Sequence, residues 1–212
     1  MTRCILLLAS LALAACSTRP AAPSAEAPQR AFPDMSGRTV MLLPVQSATP
    51  LIGRPATADS TAPATTLAGD ALRAFDAELA FWLAERAGRV TWVAADAVER
   101  AADRATVLNV RPRDLPIRDF LRARLEAIGD PLYGDLRGLS MLVDARVALL
   151  PIGAVWIPEQ DGTGRLHVAL ALIDTFGGRV LWQGVIAGDA TAANDAAALA
   201  AAAQAIAARV QR

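Results

Sequence analysis

Few side chains in this sequence have the type and spacing to start a reaction. His167 is the only histidine, and it stands in an alternating run with no Cys or carboxylate at ligand spacing, so a general-base or metal-ligand role lacks partners. A serine nucleophile wants the strand-to-helix elbow of a G-x-S-x-G motif. Ser140 sits instead in Gly138-Leu139-Ser140-Met141, inside a helical pattern. Asp96, Asp114 and Asp130 each precede an apolar-periodic run, which reads as helix capping rather than as a pair of glycosidase acids. Asp161-Gly162-Thr163-Gly164 has the small residues of a phosphate cradle, but it joins two strands rather than opening a helix, and so reads as a hairpin turn. Arg111, Arg113, Arg118, Arg122 and Arg124 cluster on and before one predicted helix, interrupted by Asp114 and Asp119. Such a group can face anionic lipid heads or an acidic partner; the alternative is a solvated face with local ion pairs. The reading is of a protein with no cofactor, no metal and no catalytic residue. A hydrolase whose site is assembled from distant residues is the alternative.

Composition narrows the field further. The 21 basic residues, all Arg, balance 21 acidic ones, so counterion-driven binding to nucleic acid has no electrostatic footprint. With 212 residues, 54% hydrophobic and 20% charged, the chain can bury a sizeable core and is not disordered by composition. Two Cys and one His are too few for a closed zinc site or a disulfide scaffold.

The amino terminus reads as an address. Met1-Thr2-Arg3 precedes an apolar run from Cys4 to Ala15 that closes as Leu13-Ala14-Ala15-Cys16. The run is shorter than the roughly 20 residues a membrane span needs and suits a signal peptide over residues 1–15. The box Leu13 to Cys16 resembles the bacterial lipoprotein signal. That resemblance implies a thioether diacylglyceryl on Cys16, cleavage before it, and acylation, with palmitate for example, of the new amino group. Ser17 in place of Asp implies sorting to the outer membrane, on its periplasmic face, in a cell that has one. An ordinary secretory signal, with Cys16 incidental, is the alternative. Loss of Arg3 would leave 20 Arg against 21 acids, a charge of −1.

The elements that must position any site follow in order. Residues 16–36 form an Ala- and Pro-rich tether carrying Pro20, Pro23, Pro28 and Pro33, semi-extended at about 3.1 Å per residue. A single domain is expected over 37–212. Thr39 to Val45 reads as a buried strand, and Gln46 to Leu67 as a long connection. Gly69 to Ala87 is a helix with Leu72, Phe75, Leu79, Trp82 and Leu83 on one stripe and Asp76 on another face, stopped by Gly88. A strand at Val90 to Val93 leads to a helix capped by Asp96. A further helix runs from Asp114 and Pro116 to Gly129 on Ile117, Leu121, Leu125 and Ile128, and another from Asp130-Pro131 on Leu132, Leu136, Leu139 and Val143. Val147 to Ile157 reads as one strand bent at Pro151, followed by a strand at Arg165 to Asp174 with one strongly apolar face, a turn at 175–178 and a third strand to Ala187. An Ala-rich helix begins near Asn194. This order specifies an α+β sandwich: a mixed β-sheet of about five strands with a C-terminal antiparallel meander, covered by helices.

The strand ending Leu42-Leu43-Pro44, and above all Leu172-Ile173-Asp174 through Gly178-Arg179-Val180-Leu181-Trp182, are similar to periplasmic domains of the anticodon-binding-like type. That group includes the amino-terminal domain of the Tol translocation β-propeller protein, the curli secretion-channel lipoprotein, and lipoprotein activators of penicillin-binding proteins. The resemblance implies an α/β domain that binds or assembles with an envelope protein partner rather than an enzyme, with a homo-oligomer, even a ring, as a further possibility. It carries over no binding residue. The many Pro between Gln46 and Leu67 disfavour the paired alternating strands of a membrane barrel.

Overall fold

A computed structural model describes residues 31–47, 64–159 and 161–211. The signal peptide, Cys16, most of the Pro-rich stretch and most of the long connection lie outside the described residues.

The chain forms β1 (Thr39–Leu42), β2 (Thr65–Thr66), α1 (Asp70–Arg86), β3 (Thr91–Val93), α2 (Ala95–Arg104), a 3₁₀ turn (Arg118–Leu121), α3 (Leu132–Val143), β4 (Val147–Pro158), β5 (Gly164–Asp174), β6 (Arg179–Ala187) and α4 (Ala196–Gln211). The sheet runs β3-β1-β4-β5-β6, with β2 pairing β4 beyond the end of β1. β1 is parallel to β3 and to β4, and β4, β5 and β6 form the antiparallel meander. The fold is the expected α+β arrangement, with the two-residue β2 as a sixth strand. β4 bends where the sequence places Pro151, its pairing with β5 shifting register between Pro151 and Gly153.

Alternation along the central strands sends side chains to two separate cores. On one face Val40, Leu42, Leu149, Leu170 and Leu172 pack against Leu72, Phe75, Leu79 and Leu83 of α1 and Leu199 and Ile206 of α4. On the other, Met41, Leu43, Leu150, Ala171 and Ile173 pack against Val98 of α2, Phe120, and Leu136 and Leu139 of α3. The expectation of one strongly apolar face on β5 therefore needs correction. β5 is interior to a three-layer sandwich, so its small Ala169 and Ala171 lie under helices just as its Leu and Val do.

Alanine-rich α4 is buried through Ala198, Ala202, Ala203 and Ala207, side chains small enough for its backbone to come close to the sheet. Gly188, just after β6, shows how close: a Cβ there would lie 2.6 Å from the Ala202 nitrogen and 2.9 Å from its Cα. Gly188→Ala must push α4 outward, and we expect a loss of about 1–3 kcal/mol in urea denaturation.

Three sequence expectations fail locally, each for a physical reason. The helix over 114–129 is only the short 3₁₀ turn, because the residues after it pair with the edge of the sheet: Val180 N–H donates to Glu126 O at 2.9 Å and Ile128 N–H to Gly178 O at 2.8 Å. The Leu125 N–H goes to the Gln183 side chain at 3.0 Å. These tertiary bonds use groups a helix would have satisfied internally. Asp114 caps no helix; its N–H closes a turn on Arg111 O at 3.0 Å. Asp96 is not the cap of α2 either, since Ala94 takes that position and Asp96 pairs with Arg100 one turn on. Asp130 does hold the start of α3, accepting from Gly134 N–H at 3.2 Å. At the amino-terminal end of the described chain, Phe32 meets Trp182 at 5.2 Å between ring centroids and Met35 is buried.

Candidate functional site

The carboxyl ends of parallel strands are where open α/β sheets usually place their ligands, and here β1 is followed by Leu43-Pro44-Val45-Gln46. A polar cluster is built around that exit. Asp76, buried on α1, accepts the Val45 N–H at 2.8 Å and Arg113 Nη1 at 2.8 Å. Arg113 forks its Nε and Nη2 onto both oxygens of Glu99 on α2, at 2.9 and 3.0 Å. Beside them the buried Gln46 side chain donates to Pro44 O and Pro112 O at 2.7 and 2.9 Å and accepts the Leu115 N–H at 2.9 Å. The cluster satisfies its own donors and acceptors. Its work is to lock the loop around residues 112–115 against α1, α2 and the end of β1.

Asp76 corrects the sequence reading of α1: it lies within the buried stripe, not on a solvent face. Burial is the largest influence on its carboxyl, outweighing the Val45 and Arg113 hydrogen bonds, and raises its pKa from the ordinary 3.8 to about 6. A native pKa above the unfolded one means that the folded state binds more protons in between. The stabilisation from protonated Asp76 is therefore full below about pH 4 and is lost as pH rises through about 6. Asp76→Asn should flatten the pH dependence of the urea midpoint across that window, while the wild type loses stability over it.

What the cluster holds in place is the segment that carries the sequence-predicted arginines. Leu115, Ile117 and Phe120 are buried beneath it, and Gln183 and the edge of β6 hold its far end. Arg111, Arg118, Arg122 and Arg124 are left exposed on this pinned segment, interleaved with exposed Asp114 and Asp119. Arg113 points the other way, into the ion pairs with Asp76 and Glu99. The structure thus divides the group of five into one internal strut and four outward guanidiniums. Gln46, Asp76 and Glu99 went unrecognised in the sequence. Their only signal is a polar residue directly after a buried strand and an acid adjoining Phe75 on an apolar helix stripe.

The remaining candidates stand apart from one another. His167 is half-buried on β5, its pKa lowered first by desolvation and then by Arg165, so it is neutral at pH 7. The Ser140 hydroxyl donates to Arg137 O at 2.8 Å within α3. Asp161 accepts Thr163 N–H and hydroxyl at 2.9 and 2.6 Å in a hairpin turn with Gly162 at φ 82°. Trp156 and Trp182 are buried; Trp82 is only partly so, with the Arg86 guanidinium 4.9 Å from its ring centroid. A cavity of about 350 Å³ opens between Asp34, Ser36, Arg86 and Arg89 near the end of α4. Among the described residues no group of three or more His, Cys, Asp or Glu could hold a metal ion, and no helix is long and apolar enough to cross a membrane.

No family model and no curated protein matches the chain. Solved structures to which it is similar include the C-terminal domain of LpoB from Salmonella enterica, 17% identical with a TM-score of 0.37 over 74% of this chain and 86% of that one. Lipoprotein GNA1162 from Neisseria meningitidis is 11% identical with a TM-score of 0.35, covering 74% of this chain and 84% of that one. The PelC dodecamer from Paraburkholderia phytofirmans is 14% identical with a TM-score of 0.41, covering 86% and 94%.

Proposed function

We propose that this chain is a non-catalytic, lipid-anchored binding or assembly component of a cell-envelope complex, held through Cys16 on the periplasmic face of the outer membrane. The observation that carries the reading is the Leu13-Ala14-Ala15-Cys16 box at the end of a short apolar run, with Ser17 after it. The expected tether of residues 16–36 is shortened at its far end, because Phe32 and Met35 pack into the domain; residues 16–30 then act as the spacer between the lipid and the folded domain, and residues 1–15 as the removed signal. The pinned, arginine-bearing segment supports binding, presenting Arg111, Arg118 and Arg122 outward from a rigid base while Arg113 secures it. The experiment is in-cell crosslinking of the full chain in native membranes, comparing wild type with Cys16→Ser. The chain has no lysine, so the reagent must be carboxylate-reactive or photoreactive. Capture of a defined envelope complex by the wild type alone is the expected result. Capture of nothing, with turnover of peptidoglycan or of an ester by the purified protein, would replace the reading with a hydrolase.

A further inference from the structure

The turn between β5 and β6 holds an aromatic side chain in water with more hydrogen bonds than a strand connection needs. Phe176 is 54% exposed at its tip. Beneath it, buried Thr175 donates its N–H and its hydroxyl to Arg146 O, at 3.0 and 2.9 Å. The Phe176 N–H donates to Asp174 Oδ1 at 3.1 Å, and its carbonyl accepts the Tyr133 hydroxyl of α3 at 2.9 Å. The turn is therefore fixed to the chain entering β4, to β5 and to α3 before anything binds.

Two guanidiniums, Arg137 from α3 and Arg146 from the residue before β4, each lie 5.2 Å from the Phe176 ring centroid. Two like charges on one ring are held there by cation–π attraction and by the Arg137 hydrogen bond to the Tyr133 hydroxyl at 3.1 Å. Asp174 compensates Arg146 only weakly, lying 3.9 Å from a guanidinium whose side chain is 70% exposed. One helical turn beyond Arg137 on the same face of α3, Met141 is 75% exposed. Arg, Phe, Tyr and Met on a rigid base are the side chains that dominate protein interfaces. With one carboxylate between two guanidiniums the site keeps a net positive charge, and what complements it is carboxylates beside an apolar group.

We infer that the surface formed by Phe176, Arg137, Arg146 and Met141 docks an acidic, apolar-containing segment of an envelope protein. This deepens the reading above and rests on it. The test uses the full, anchored chain in cells, with Met141 replaced by a photoreactive benzoylphenylalanine and, in a second chain, Phe81 of α1 replaced in the same way as a probe of the opposite layer. The expected result is a product from position 141 whose crosslinked partner peptide, identified by sequencing, carries Asp or Glu beside apolar residues. Its yield should fall at least about tenfold with Arg137→Glu and Arg146→Glu together, and by less with Ala at both, while circular dichroism and membrane attachment stay unchanged. Crosslinks from position 141 that go only to lipid or to a second copy, or that ignore charge reversal, overturn the surface. So does capture of an envelope protein from position 81 alone, and in each of these cases the anchored-component reading stands. If neither position nor the crosslinking of the unmodified chain captures an envelope protein, that reading falls and the surface with it.

Discussion

Cys16→Ser is expected to remove the protein from the outer-membrane fraction altogether. A thioether needs the thiol, and amino-terminal acylation follows cleavage at the same residue, so a hydroxyl forfeits every chain at once. One acyl chain alone gives a partition constant of about 10⁴ M⁻¹, which is marginal, while two or more give stable attachment; the variant falls from the second condition to none. The uncleaved apolar run from Cys4 to Ala15 does not restore the location, being short of the roughly 20 residues of a span. Fractionation on a density gradient reads the outcome. Ser17→Asp is the companion variant: it keeps the lipid and should shift the protein to the inner-membrane fraction. Cys16→Ser chains that stay with the outer membrane would mean that another feature holds them there.

The largest expected loss of stability comes from Arg113→Met. Methionine fills similar space but leaves Asp76 facing an apolar group and Glu99 without its fork of donors. Removing one partner of a buried pair costs about 3–5 kcal/mol, and the lower end applies here because the Arg113 side chain keeps 25% of its surface in water while Asp76 keeps 10%. The loss depends on pH in a defined direction. Without the guanidinium, Asp76 is pushed still further above its ordinary range, so the variant is penalised more at pH 7 than at pH 5. Asp76→Asn in the Arg113→Met background should recover much of the loss, because an amide keeps an acceptor for the Val45 N–H without a buried charge. Urea unfolding of the four chains of this cycle at both pH values checks it. A uniform loss that Asp76→Asn does not repair would reassign Arg113 to packing alone.

Strong periodicity was legible where each element buries a continuous stripe. Leu72, Phe75, Leu79 and Leu83 announce α1, and Val147 to Asp174 with its Pro151 bend and Asp161-Gly162 turn announces the meander down to its hairpins. Expectation failed where tertiary hydrogen bonds outweigh local pattern. Ile117, Leu121, Leu125 and Ile128 have helical spacing, yet residues 126–128 serve the edge of β6 better than they would serve a helix. Asp76 shows the same limit for the site. An acid one residue from Phe75 reads as solvent-facing until Val45 and Arg113 are known to converge on it from 31 and 37 residues away. The exposed arginines could be enumerated from sequence; that Arg113 alone turns inward could not, because only the fold supplies Glu99 as its partner. The Phe176 surface was equally hidden, since Arg137 and Arg146 reach its ring from different elements.

The most direct test of the account is the intact mass of the mature protein extracted from its native membranes, with its amino-terminal peptide sequenced by fragmentation. The account requires a chain that begins at Cys16 and carries a diacylglyceryl thioether and an amide-linked acyl chain. A chain that begins elsewhere, or a Cys16 with an unmodified thiol, would contradict it and leave the folded domain without the anchor on which its proposed role depends.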